Sequence, residues 1–416
     1  MRKTKLKRTS HEERLEKFAQ VAVKVGLRPT PGQQVIVTAP IAALPLVRKV
    51  TEQLYKAGVS QVTTLFDDDA CTLARYRFAA DGSFDVSTNW LFDGMASAFD
   101  NNAARLAILG ANPGLLAGVN LELTGRAAAA RAKAYKPASN RISSFSINWS
   151  MISCATPAWA KTVFPGVSEK VAMRLLWDAI FAASRSDVDD PIAAWAAHNQ
   201  ALKSRVNILN AKSFSALRFR GPGTDLTVGL ADGHEWCGGA TTAKNGVVCN
   251  ANLPTEEVFT TPHCQRVDGY VLSTKPLSLQ GVLVEGIRVR FEGGRVVEAT
   301  AQRGQDALLS LIKTDAGACQ LGEVALVPHS SPISQSNVLF YETLFDENAA
   351  CHIAFGQSFS KCIANGRNMT KEELSAKGSN QSDIHVDWMI GSGAVDVDGI
   401  YADGSVEAVM RSGEWV

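Results

Sequence analysis

The chain has 416 residues, 46% hydrophobic and 20% charged, with 42 basic against 41 acidic side chains and a formal net charge of +1. That balance excludes a nucleic-acid binder working through bulk charge, and the length supports two or three domains. No apolar run reaches the roughly 18 residues that cross a bilayer. The eight cysteines are scattered without a C-x-x-C pair, so neither a disulfide framework nor a zinc knuckle is expected and a reducing cytoplasm fits.

The N-terminal M-R-K-T-K-L-K-R-T-S is basic, but H-E-E-R-L-E-K-F-A follows it where a signal peptide would carry an apolar core. Residues 1–10 read as a loose arm. A Pro/Gly turn then leads into a β-rich run over 34–38. Leu44, Leu46, Val47, Val50 and Leu54 recur at helical spacing over 41–57, and Gly58 is a helix stop. Q-V-T-T-L-F-D-D-D is a second strand, which completes a β-α-β unit with a right-handed crossover. Asp67, Asp68 and Asp69 at its end read as a solvated loop rather than a metal site. Further strands are expected over 104–111 and 141–149, and helices over 169–183 and 190–211. Gly110, Gly114 and Gly118 do not make the G-x-G-x-x-G of a dinucleotide site.

From about residue 213 the texture changes. L-R-F-R-G-P-G-T-D-L-T-V-G-L brackets a Gly/Pro turn, K-N-G-V-V-C-N is another hairpin turn, and strand-like runs recur at 268–274, 281–292 and 295–301. Residues 304–313 read as a short helix. The expected architecture is an α/β N-terminal domain (1–212) with a mainly parallel sheet, then an α+β domain (213–416) with antiparallel strands.

Metal-competent residues collect in this second half. N-L-P-T-E-E-V-F-T-T-P carries Glu256 and Glu257, and only one of two neighbours in an extended chain easily faces a given site. L-G-E-V-A-L-V-P places Glu323 before an apolar run, where a lone charge needs a cation or donors. L-F-D-E-N-A-A-C-H-I-A contributes His352. In H-V-D-W-M-I-G, His385 and Asp387 are two apart and share one face of a strand, with Ile384, Val386, Trp388 and Ile390 on the other. Each has an ordinary structural explanation singly: a core histidine, a helix cap, a half-buried strand. Together, carboxylates and two imidazoles suit two divalent ions sharing a bridging carboxylate, with zinc, cobalt or manganese preferred over calcium. Spread over 131 residues (257 to 387), the set has no regular spacing to make it decisive.

These four motifs, with V-G-L-R-P-T-P-G-Q-Q-V-I-V, T-P-A-W-A and R-F-R-G-P-G-T-D-L-T-V-G-L upstream, resemble the M29 family of metallo-aminopeptidases, of the thermophilic aminopeptidase T type. The resemblance covers most of the chain in the family's order. It implies a cytoplasmic exopeptidase acting on small peptides, a homodimer, and two metal ions held by Glu257, Glu323, His352, His385 and Asp387. Glu323 is the bridging carboxylate in that reading, and Glu256 or Glu342 the general base. Family members commonly carry a tyrosine where this chain has Phe359, which cannot donate to a developing oxyanion; Tyr341 is the substitute considered. Asp346 or Asp383 would orient the ligand histidines. Two other readings stay open. His352, His385 and Asp387 could form the facial triad of a ferrous ring-cleaving dioxygenase acting on dihydroxypyridines. A catalytically silent homologue would keep the site for folding alone.

Overall fold

The computed structural model describes residues 10–110, 112–279 and 282–416, and most of the basic arm expected over 1–10 lies outside these. Ser10 caps helix His11–Val21, in a reciprocal capping box with Glu13. By internal contacts the chain forms two compact units. One runs up to His198 and includes Ala240–Pro254; the other comprises Asn199–Gly239 and Thr255–Val416. The division thus differs from a single boundary near 212, because 240–254 returns to the first unit.

The first unit is built on four strands, β1 Gln34–Pro40, β2 Gln61–Asp67, β3 Ala104–Leu109 and β4 Trp149–Ser153. They lie in the order β2-β1-β3-β4 and every pair is parallel. Helix Leu44–Lys56 links β1 to β2 and buries Leu46, Val47, Val50 and Leu54, the stripe its spacing predicts. It stops before Gly58, whose φ of +86° a side-chain-bearing residue would resist. Asp67 ends β2, whereas Asp68 caps the next helix by accepting the Cys71 N–H at 2.9 Å. That local bond accounts for Asp68 without a metal.

One strand is misplaced by the sequence pattern. Residues 141–143 close the long helix Leu121–Ser143, which runs through Pro137, and the strand begins only at Trp149. The apolar spacing of Ile142, Phe145 and Ile147 suits a strand, but Phe145 adopts φ +51° and turns the chain. Helices Glu169–Ala183 and Pro191–Lys212 fall where expected.

The second unit carries two large sheets. One has eight strands; the other has five, in the order His385–Met389, His352–Gly356, Leu321–Leu326, Val258–Thr260, Cys237–Gly238, all antiparallel. The run expected over 281–292 is two strands, Val282–Val284 and Arg288–Glu292, broken around Gly286 at φ +63°. The core holds Leu321, Val324, Leu326, Ile353, Phe355, Trp388 and Ile390, with Ile384 and Val386 packed against it. Phe355 and Trp388 stack at 5.3 Å on facing strands. No described helix is long and apolar enough to cross a membrane.

Candidate metal centre

The five-stranded sheet gathers the predicted donors from four neighbouring strands. Glu257 immediately precedes Val258–Thr260, Glu323 lies inside Leu321–Leu326, His352 opens His352–Gly356, and His385 and Asp387 lie two apart on the last strand. Asp387 pairs with Ala354 and His385 with Gly356. Glu323 also pairs with Ala354, beside a register shift between Leu321 and Glu323. Gly322 sits at that shift, where a Cβ would stand 2.4 Å from the carbonyl oxygens of Gly356 and Gln357. Gly356 is as constrained: its φ is +96°, and a Cβ there would lie 2.1 Å from the Ile384 carbonyl. Two glycines therefore let three strands close tightly around the acid.

The donor atoms form two groups, Glu257–Glu323–His352 and Glu323–His385–Asp387, each with its ligand atoms within 4.8 Å of one another. Glu323 belongs to both. His352 Nε2 is 3.1 Å from Glu257 Oε2 and 4.0 Å from Glu323 Oε1. His385 Nε2 is 3.2 Å from Glu323 Oε2 and 3.3 Å from Asp387 Oδ1. Glu257, Glu323 and His352 are buried, and His385 keeps partial exposure.

The outer ring nitrogens decide the tautomer. His352 Nδ1 faces the Ala350 carbonyl at 3.1 Å and His385 Nδ1 faces the Gln357 carbonyl at 2.7 Å. A carbonyl only accepts, so each Nδ1 carries the proton and each Nε2 of a neutral ring presents a lone pair. These main-chain acceptors replace the expected Asp346 and Asp383. Asp346 instead accepts the N–H groups of Phe340 and Glu342 at 2.8 and 3.1 Å, and Asp383 receives no imidazole.

Lone pairs aimed at carboxylate oxygens repel unless a proton or a cation lies between them. Burial lowers the His352 pKa, but Glu257, Asp387 and Glu323 outweigh it and hold the ring at about 10. His385 is driven well above its ordinary value against burial by Asp387 and Glu323. Burial raises Glu323 to about 7, His385 opposing and Asp387 and Glu257 reinforcing. Burial pushes Asp387 up, but His385 wins and holds it low. Asp387 Oδ1 is buried and receives no well-directed hydrogen bond. One divalent ion in each group would together satisfy that orphan oxygen and both lone pairs, so the donor set fits metal.

A further acid emerges that the sequence reading passed over. Glu347 is raised well above the usual range by burial, then by the neighbouring charges of Glu257 and Asp387. It lies in the short turn Glu347–Ala349, five residues before His352, and the D-E-N run was its one sequence signal. Glu256, Glu342 and Tyr341 do not enter either donor group among the described residues. The Glu256 N–H donates to Asn348 Oδ1 at 2.7 Å. Glu342 flanks helix Thr343–Asp346, its carboxyl raised by burial, and Tyr341 adopts φ +57°. The Phe359 ring lies 4.7 Å from the His385 ring.

Fold and donor set define a metal-dependent hydrolase, and the chain belongs to the thermophilic metalloprotease (M29) family, whose model matches residues 11–415. Among known proteins it is similar to aminopeptidase T of Thermus thermophilus, 52% identical over 97% of this chain and 98% of the relative. Aminopeptidase 2 of Geobacillus stearothermophilus is 44% identical over 97% and 98% of the two chains. The solved structure of wild-type AmpT from Thermus thermophilus superposes with a TM-score of 0.93 at 50% identity, covering 98% of this chain and all of that one. The ferrous dioxygenase reading loses its footing here, since Glu257 and Glu323 join the three residues it needs and the family is a protease family.

Proposed function

We propose that this metal-dependent aminopeptidase hydrolyses the N-terminal bond of small peptides with two divalent ions, zinc, cobalt or manganese. Glu257, Glu323 and His352 would hold one, and Glu323, His385 and Asp387 the other. The observation that carries the reading is Glu323, shared by both donor groups with one carboxylate oxygen towards each histidine. When bound, such ions supply Lewis acidity that lowers the pKa of water and polarises the scissile carbonyl.

The chain's own residues do the rest. Main-chain carbonyls fix both imidazoles so that Nε2 faces inward. Glu347 takes the proton of the attacking water and returns it to the leaving amine: the charges of Glu257 and Asp387 act on its carboxyl, whereas burial alone raises Glu342. An excess of carboxylates around the site attracts the substrate's free α-ammonium, which favours removal of the terminal residue over internal cleavage. With phenylalanine at 359, the developing oxyanion receives no phenol hydroxyl from that position. The family resemblance extends the proposal to a cytoplasmic homodimer, and sedimentation at about twice the 44.5 kDa chain mass is expected.

The test joins stoichiometry to specificity. Purified protein should hold two ions per chain and release p-nitroaniline from Leu-p-nitroanilide but not from its N-acetylated form. Metal-free protein that is still active, or equal cleavage of the blocked substrate, would overturn the reading.

A further inference from the structure

A second charged cluster lies in the first unit, on the face of the parallel sheet that packs against helices Asn89–Asp100 and Leu121–Ser143. Arg105 on β3 stands in register between Ile36 on β1 and Trp149 on β4, so the three side chains share that face. Their surroundings are apolar: Ile36, Phe92, Met95, Phe99 and Ile142 form a buried cluster with Tyr135 and Trp149 against it. A guanidinium is out of place in such a setting without an acceptor.

Arg105 has none. Its Nε is buried without a hydrogen-bond partner, and so is the indole Nε1 of Trp149, its neighbour in register. Among the described residues no carboxylate pairs with Arg105 or Arg131. The groups that face Arg105 are the Tyr135 phenol and the Arg131 guanidinium, and burial foremost, aided by Arg131, pulls its pKa below the usual arginine value. Arg131 lies over the Phe92 ring at 5.4 Å, and Tyr135 meets the same ring edge-on at 5.2 Å. One aromatic platform thus holds the second cation and the phenol close to the first. Arg105 and Trp149 are half-buried and Arg131 is exposed, which leaves the cluster reachable from solvent.

We propose that Arg105, Arg131, Tyr135 and Trp149 form a binding site for a small oxyanion, a phosphate or a carboxylate. Arginine offers a planar fork of N–H donors matched to two oxygens of such a group, and the indole and phenol add single donors. The set contains no carboxylate and no imidazole, so it has nothing to offer a metal ion. It is independent of the donors around Glu323, which belong to the other unit.

Thermal unfolding of the full-length metal-loaded protein tests this, with inorganic phosphate and acetate titrated separately and chloride holding ionic strength constant. Wild type should show a saturable rise in midpoint with at least one anion. The half-saturating concentration should increase at least about tenfold in Arg105→Gln. Arg131→Gln, at an exposed position, should shift it in the same direction and secures the test if the buried variant folds poorly. A response to phosphate alone assigns a phosphate site, to acetate alone a carboxylate site, and to both a general oxyanion site. Any anion effect at the metal centre would be equal in all three proteins. Equal half-saturation throughout, or no saturable response, would overturn the proposal and leave Arg105 as an aliphatic stem covering the sheet.

Discussion

Glu323 Oε2 lies 3.2 Å from His385 Nε2 while Glu323 Oε1 looks to His352 at 4.0 Å, so one carboxylate divides its oxygens between two imidazoles. Removing it unlinks both donor groups at once. Glu323→Ala is expected to lose at least about a hundredfold in kcat/KM, beyond the range seen when a mere supporting residue is lost. Its metal content should fall below two ions per chain. Retained activity with full metal loading would refute the shared role.

Asp387 contributes to one group only. Asp387→Ala should lower metal content towards one ion per chain and abolish Leu-p-nitroanilide turnover. Far-UV circular dichroism should stay close to wild type, because the opposite face of that strand, with Trp388 and Ile390, remains anchored in the core. A variant that keeps both ions would remove Asp387 from the ligand set.

Chelation should destabilise the fold itself. Without cations, the clustered acids Glu257, Glu323, Asp387 and Glu347 repel one another or must bind protons. The apoprotein is expected to melt about 5 °C or more below the loaded form, with recovery on adding zinc, cobalt or manganese. Identical unfolding curves with and without chelator would show that these residues hold no stabilising ion.

The ring of Phe359 against His385 invites the reverse experiment, a gain of function. Phe359→Tyr adds one hydroxyl donor near the site, and kcat is expected to rise about tenfold with KM little changed. Unchanged kcat would mean that another group already serves the oxyanion.

Asp346 offers a stability test at a residue outside both donor groups. Its two oxygens accept the main-chain N–H groups of Phe340 and Glu342, and burial first of all raises its pKa to about 7. Asp346→Asn keeps one acceptor and sets an amide against the other N–H. A loss of about 1–3 kcal/mol by urea denaturation is expected. A neutral substitution would show that this turn does not depend on both bonds.

Much of this was readable in the chain. Period-two alternation in H-V-D-W-M-I-G marks a strand with His385 and Asp387 on one face, and helical spacing marks Leu44–Lys56. What escaped depended on distant contacts. Glu347 looks like one more acid in a turn until folding buries it beside Glu257 and Asp387. The histidine supports are main-chain carbonyls of Ala350 and Gln357, and every residue has one, so no residue type announces them. The strand at 149–153 was displaced because apolar spacing near 142–147 fits a helix end as well as a strand.

The way the sheet is stitched together also bears on when metal can enter. The donors sit on or beside four strands whose pairings join residues 258–260, 321–326, 352–356 and 385–389. No local segment of the growing chain holds a complete group, since even the more compact one needs Glu323 with His385 and Asp387. Such non-local pairings close late and slowly. An ion therefore cannot template the early steps of folding; it is captured by strands already paired, and the second group is complete only after the last strand has docked.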